Sequence, residues 1–231
     1  MIINTAFARL IGCVLVVAAS SASADTGKTT GTGANDQRDA NGEIVVAGSA
    51  PSMAIGRPTV RDRGVFIAQV GTENHATVTQ TAPVAVARID QNGDRNRAFV
   101  AQRGAILAYA DLRQSGMFND ATVTQGGSGG EAVLFATQAG TGNRIHSDQQ
   151  SSDGGANAAA LVQVGNGNLM ALAQSGEDNL AQLTQDGDTN QMTASQSGAG
   201  NRLIWTQQGN GLSNLAIAQS GGQSLQVTQS R

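Results

Sequence analysis

Glutamine recurs in this chain at a fixed interval. Gln163, Gln174, Gln185, Gln196 and Gln207 stand eleven residues apart, and the residues between them keep one order. Gln185-Asp186-Gly187-Asp188-Thr189-Asn190 is followed by Gln191-Met192-Thr193-Ala194-Ser195-Gln196, and the next interval repeats the pattern through Gly198 and Asn201 to Gln207. The unit is Gln-x-Gly-x-x-Asn-x-apolar-x-apolar-x-Gln. A short period repeated this often restricts the chain to a stacked architecture, because one unit cannot bury an apolar face alone.

Within a unit the apolar residues fall two and four places after the Asn, and the next Gln six places after it. That is a period of two, so Asn179, Ala181, Leu183 and Gln185 share one face of a strand. Asn168, Met170, Leu172 and Gln174 share another. Leu180, Gln182 and Thr184 face the opposite way. The residues between Gln and Asn, such as Ser175-Gly176-Glu177-Asp178, are turn formers. One unit is therefore a short strand and a tight turn.

Two such strands facing each other make a rung of about 22 residues, and rungs stack at about 4.8 Å. The fold class predicted is all-β: a β-solenoid of strand-turn-strand rungs. Stacking sets every Gln over a Gln and every Asn over an Asn, where side-chain amides bond along the stack. An amide buried without partners costs roughly 1–3 kcal/mol, so the ladder is what permits amides on an apolar face. Composition agrees. Aromatics are 3% and charged residues 13% of the chain, which suits a thin core of Ala, Val and Leu better than a broad globular one. A net charge of −3 gives no electrostatic basis for nucleic-acid binding.

In order along the chain, residues 1–24 read as a secretory signal: Arg9, an apolar run from Leu10 to Ala19, and the small residues Ala22-Ser23-Ala24. The run is too short for a permanent membrane span. Cys13, the single cysteine, lies inside it. Residues 25–60 are rich in Gly, Thr, Ser, Asp and Asn and are expected to be disordered. Their apolar patch, Glu43-Ile44-Val45-Val46-Ala47, reads as a brief strand, a sticky linker, or a recognition segment for export or for a partner. The solenoid is expected over 61–231. Its ladder residues are Gln69, Asn74, Gln80, Gln91, Asn96, Gln102, Gln114, Asn119, Gln125, Gln138, Asn143, Gln149, Gln163, Asn168, Gln174, Asn179, Gln185, Asn190, Gln196, Asn201, Gln207, Gln219 and Gln229. The interval from Gln80 to Gln91 is degenerate, with Ala82 for the Gly and Ala85 for the Asn. Extra residues between Gln102 and Gln114, Gln125 and Gln138, and Gln149 and Gln163 are assigned to turns, which keeps the strand faces in phase. Fifteen terminal glutamines give fifteen strands, or seven and a half rungs, about 35 Å of stack.

These units resemble the curlin repeat of bacterial curli amyloid subunits, whose core is Gln-x-Gly-x-x-Asn-x-Ala-x-x-x-Gln. Segments 69–80, 91–102, 114–125 and 174–185 match that core in full. Others differ only at the Ala position, which holds Met170, Met192, Leu203 or Ile145. The family's longer pattern has a Ser six residues before the first Gln, where this chain has Arg63, Ala85, Ala108 or Asn168. The resemblance implies a subunit secreted through an outer-membrane curli pore with accessory factors. It implies self-assembly, with itself and other curlin subunits, into extracellular matrix fibres for biofilm and adhesion. Major subunit and minor nucleator both fit. The resemblance also implies that the segment after the signal guides export.

Catalysis and cofactors are not expected. His75 and His146 fall at solvent-facing positions, and no cysteine-histidine cluster has metal-ligand spacing. The turn residues Asp94, Asp178, Asp186 and Asp188 read as weak cation ligands, as gatekeepers against premature aggregation, or simply as turn formers. Trp205 takes an inward position, to fill the thin core or widen it. A solenoid has two open ends with unpaired backbone groups, and an end rung can template the next chain. The alternatives are a monomeric adhesin or an ice-binding solenoid, which needs a sustained outward threonine array where this chain has the separate pairs Thr77/Thr79 and Thr122/Thr124. A polysaccharide-cleaving β-helix would need a cluster of acids and bases.

Overall fold

The structure is a computed structural model, and it describes residues 43–47, 55–56, 58 and 63–231. The expected signal lies outside the described residues. So does the expected disordered segment, apart from residues 43–47, 55–56 and 58. Every regular element among the described residues is a strand. Glu43–Ala47 forms β1. Fifteen strands follow: β2 (Gly64–Val70), β3 (His75–Gln80), β4 (Val84–Asp94), β5 (Arg97–Gln102), β6 (Leu107–Met117), β7 (Asp120–Gly127), β8 (Glu131–Thr141), β9 (Arg144–Ser151), β10 (Ala156–Asn166), β11 (Leu169–Glu177), β12 (Leu180–Asp186), β13 (Gln191–Ala199), β14 (Arg202–Gln208), β15 (Ile217–Ser220) and β16 (Ser224–Ser230).

Successive strands alternate between two sheets. One sheet runs β1-β16-β14-β12-β10-β8-β6-β4-β2, the other β15-β13-β11-β9-β7-β5-β3. From β2 to β16 every pairing is parallel and one rung apart, as a solenoid requires. The register sets Gln over Gln throughout: Gln69 on Gln91, Gln91 on Gln114, Gln80 on Gln102, and so on to Gln207 on Gln229. Stacked glutamines are 22 residues apart in the regular rungs and 25 at the longest. The extra residues lie in the turns leading from β5 to β6, β7 to β8 and β9 to β10, outside the strands.

The core is a single narrow file between the sheets. Its residues are those two and four places after each Asn position, including Ala110 and Leu112, Leu134 and Ala136, and Met170 and Leu172. Alternate residues of a strand point out, so the period of two in the sequence becomes one dry face and one wet face. Trp205 is fully buried on β14, between Leu183 and Val227 in the register. Across from it, strand begins only at Ile217, and β15 has four residues. The Trp205 indole Nε1 finds no hydrogen-bond partner among the described residues.

The turn glycines are fixed by stacking as well as by dihedral angle. Gly140 has φ +116°, and a Cβ there would fall onto the carbonyl oxygen of Gly165 in the next rung. Gly142, two residues on, has φ +68° but open space around it.

Two outcomes follow from this packing. Trp205→Phe removes a buried, unpaired N–H whose presence costs about 1–3 kcal/mol, so its Tm is expected at or near that of the native chain. Trp205→Ala is expected to cost about 3–5 kcal/mol through the cavity it leaves. In urea unfolding, Gly142→Ala is expected to lose only the left-handed penalty of about 1–2 kcal/mol, and Gly140→Ala clearly more. Equal midpoints for the two glycine variants would show that the turns are not in contact.

Candidate functional site

The distinctive chemistry of the chain is its buried amides, and they form four columns. Two are glutamine ladders. In one, the Nε2 of Gln69, Gln91, Gln114, Gln138, Gln163, Gln185 and Gln207 each donates to the Oε1 of the next glutamine, at 2.6–3.0 Å. In the other, Gln80, Gln102, Gln125, Gln149, Gln174 and Gln196 do the same toward Gln219, at 2.8–2.9 Å. All these bonds point from lower to higher residue number.

From Gln80 onward each ladder glutamine has a second amide hydrogen that goes across the core. Gln91 Nε2 donates to the His75 carbonyl, Gln125 to Tyr109, Gln149 to Val133 and Gln185 to Leu169. The acceptor lies at the beginning of the strand in the facing sheet, because consecutive strands run in opposite directions around a turn. One side chain thus ties a rung to the next rung and one sheet to the other. A carboxylate would lack both donors, and an asparagine is one methylene shorter.

The asparagines serve the turns. Asn119 Nδ2 donates to the Ser115 carbonyl four residues back, closing its own turn, and to the Gly140 carbonyl of the next rung. Its Oδ1 accepts the backbone N–H of Asn143 at 3.1 Å. Asn74, Asn96, Asn119, Asn143, Asn168 and Asn190 make one such column. The other contains only Asn157, Asn179 and Asn201.

Two corrections to the sequence reading follow. Asn157 belongs to the ladder although the spacing rule passes over it. The longer turn after Gln149 moves it out of step with that glutamine, yet it lies six residues before Gln163, as Asn179 does before Gln185. Counting back from the strand end finds it. The second correction is that not every Asn stands on an Asn. Ala85, Ala108 and Ala132 take the matching positions on β4, β6 and β8, and all three are buried. Ala85 and Ala108 pack with Ala82 and Ala105 as a small apolar corner. At the other end Asn190 and Asn201 accept the backbone N–H groups of Leu212 and Gln223 instead. A backbone N–H serves there because what the Oδ1 takes from the next rung at each of these places is a main-chain donor.

The turn aspartates also act between rungs. Asp94 Oδ1 accepts the hydroxyl and the N–H of Thr72, each at 2.8 Å, and these bonds hold its carboxyl below the usual range. Asp188 accepts from Asn166 N at 2.7 Å, and Asp178 from Ala156 N at 3.1 Å. Asp186 is exposed. At the neighbouring turn position Arg95 pairs with Glu73 at 2.7 Å and lies 5.4 Å from the Phe118 ring centroid. The hydrogen bond from Arg95 holds the Glu73 carboxyl below its ordinary value. His75 and His146 are exposed, as their positions imply. Among the described residues no three His, Cys, Asp or Glu groups gather to hold a metal ion.

The two ends of the stack differ. At the β2 end the inward residues Val65 and Ile67 are 47% and 46% exposed, and no described strand lies beneath them. The Oε1 atoms of Gln69 and Gln80 accept no bond from any described residue. At the β16 end Val227 and Gln229 are 2% and 1% exposed.

Residues 176–209, which run from the end of β11 to just past β14, match the family model of the curlin associated repeat. No curated protein and no solved structure matches the chain.

Replacing one ladder glutamine should damage three bonds together. Gln138→Leu removes the acceptor of Gln114, the donor to Gln163 and the donor to the Asp120 carbonyl. At about 1–3 kcal/mol for each orphaned buried group, urea unfolding is expected to show a loss of roughly 3 kcal/mol or more. Gln182→Leu, on the outer face of β12, is expected to stay within about 0.5 kcal/mol.

Proposed function

We propose that this chain, which carries the curlin associated repeat, is a structural subunit of an extracellular curli-like amyloid fibre. It assembles by adding copies at the ends of the solenoid. The observation that carries this reading is the state of the β2 end. Among the described residues a core file, two sheet edges and two columns of glutamine oxygens all stop there, with half-exposed Val65 and Ile67 between them. An end rung of this kind offers an incoming chain the same backbone bonds and amide ladder that join rungs inside one molecule. The 23 glutamines and asparagines named from the sequence, with Asn157, are the residues that carry assembly. Secretion through an outer-membrane curli pore, other curlin subunits as partners, and a role in biofilm matrix and adhesion complete the proposal. The protein acts as material, not as a catalyst.

The monomeric adhesin or ice-binding reading fares less well. On the second sheet the outer columns read Thr77, Phe99, Thr122, His146 and Thr79, Ala101, Thr124, Asp148, so threonine alternates with other residues along both. On the first sheet Thr184, Thr206 and Thr228 do stack, but beside them run Gln182, Ile204 and Gln226.

End addition is tested at the open face. Ile67→Lys changes a residue already half exposed, so the folded monomer should keep its strand signal and its urea midpoint. Fibre growth followed by thioflavin fluorescence is expected to slow about tenfold or more, since an unpaired lysine buried at a joint costs well over the 1.4 kcal/mol that a factor of ten represents. His146→Lys, on the outer face of a central rung, should leave growth unchanged. Equal growth in both variants would argue against end addition.

A further inference from the structure

At the β16 end the edge of β16 is covered by a strand from the far end of the sequence. β1 pairs with β16 antiparallel, with Ile44 opposite Gln229, Val45 opposite Thr228 and Val46 opposite Val227. It is the single antiparallel pairing among the described strands, and it occupies the outer edge of the last strand in its sheet. Burial follows the pairing. The inward residues of an uncovered end strand are about half exposed, as Val65 and Ile67 are, whereas Val227 and Gln229 are almost wholly buried. The chain is long enough for this arrangement. Sixteen residues, 48–63, join β1 to β2, and they can reach about 55 Å. The eight strand steps from β2 to β1 need about 38 Å.

We propose that Glu43–Ala47 is an intramolecular plug that gates growth at the β16 end. The inference rests on the assembly reading above. To add there, a second copy must lay β2 or β3 along the edge of β16, and one edge takes one strand. β1 holds that edge and cannot pass the stack on. Its sequence Glu-Ile-Val-Val-Ala has no amide, so the position opposite Gln229 holds Ile44 where a further rung would bring a glutamine. Its direction is also wrong for a parallel stack. Among the described strands none covers the β2 end, so the plug makes the two ends unequal. Before a copy adds at β16, β1 must leave. In a plugged population the released form is a minor state, of the order of 10% or less, and the growth rate at that end falls in proportion.

The test uses the full chain in a Cys13→Ser background, so that engineered thiols are alone. Val45→Cys with Thr228→Cys places a pair at facing positions of an antiparallel ladder, within the Cα separation a disulfide spans. The disulfide is expected to form in the monomer on mild oxidation. Seeded growth at the β16 end is then measured by single-fibre imaging, oxidised and reduced, beside a variant lacking residues 43–47. Oxidation is expected to stop growth at one end and leave the other, with reduction restoring it. Deletion is expected to speed the slower end about tenfold or more. Failure of the disulfide to form would overturn the placement of β1. Fibres that grow alike at both ends in the oxidised, reduced and deleted forms would overturn the plug while leaving end addition standing. Chains that remain monomeric in every form, the native one included, would overturn the assembly reading and the plug with it.

Discussion

The structure depends on a primary amide with two hydrogens and two places to send them. In every interior rung a glutamine donates once along the stack and once across it. The first bond makes rungs into a column. The second holds the sheets at a fixed separation, which sets the width of the core and therefore which side chains fit inside it. Pairs such as Ala110 and Leu112, or Ala121 and Val123, are small because the amides leave little room. An amide in an apolar interior is ordinarily a liability. Here it is fully bonded, and a fully bonded buried network specifies one register rather than weakening it.

Register and turn geometry reinforce each other. The asparagine closes its own turn and reaches the glycine carbonyl of the next, while that glycine leaves no space for a side chain between rungs. A slip of one residue would turn the glutamines out to solvent and the outer residues in. It would also put a side chain where the glycine must be. The last turn before β15 relaxes this rule. It carries one extra residue and Leu212 in place of an asparagine, and it sits in the rung that houses Trp205.

Much of this was legible in the residues. The two-residue alternation after Asn179 and Asn201 placed Leu183 and Trp205 inside, and the eleven-residue interval gave the rung. The placement of turn insertions between Gln102 and Gln163 was also readable, because strands tolerate no extra residue without losing phase. What stayed hidden had physical causes. The bond from each glutamine to a carbonyl across the core depends on the separation of the sheets, which no spacing expresses. Asn157 was masked because a forward count crosses a turn of variable length, whereas the strand behind it has constant length. The alanine positions Ala85, Ala108 and Ala132 read as gaps in a pattern, although all three are buried and the first two pack in an apolar corner with Ala82 and Ala105. β1 was the least accessible. Five residues with no periodicity gave no indication of a pairing site nearly two hundred positions away in sequence.

The half rung at the end of the stack has a geometric consequence. Fifteen strands from β2 to β16 is an odd number, so the path enters on one sheet and leaves on the same one. A second molecule that continued the winding without a gap would begin on the opposite side. Its two walls would be exchanged relative to those of the first. Neighbours in such a filament are related by a half-turn screw about the long axis, with a true repeat every two molecules, about 72 Å at 4.8 Å per layer. The outer faces of the subunit's two sheets would then alternate on both sides of the filament, and neither side would carry a single chemical character along its length.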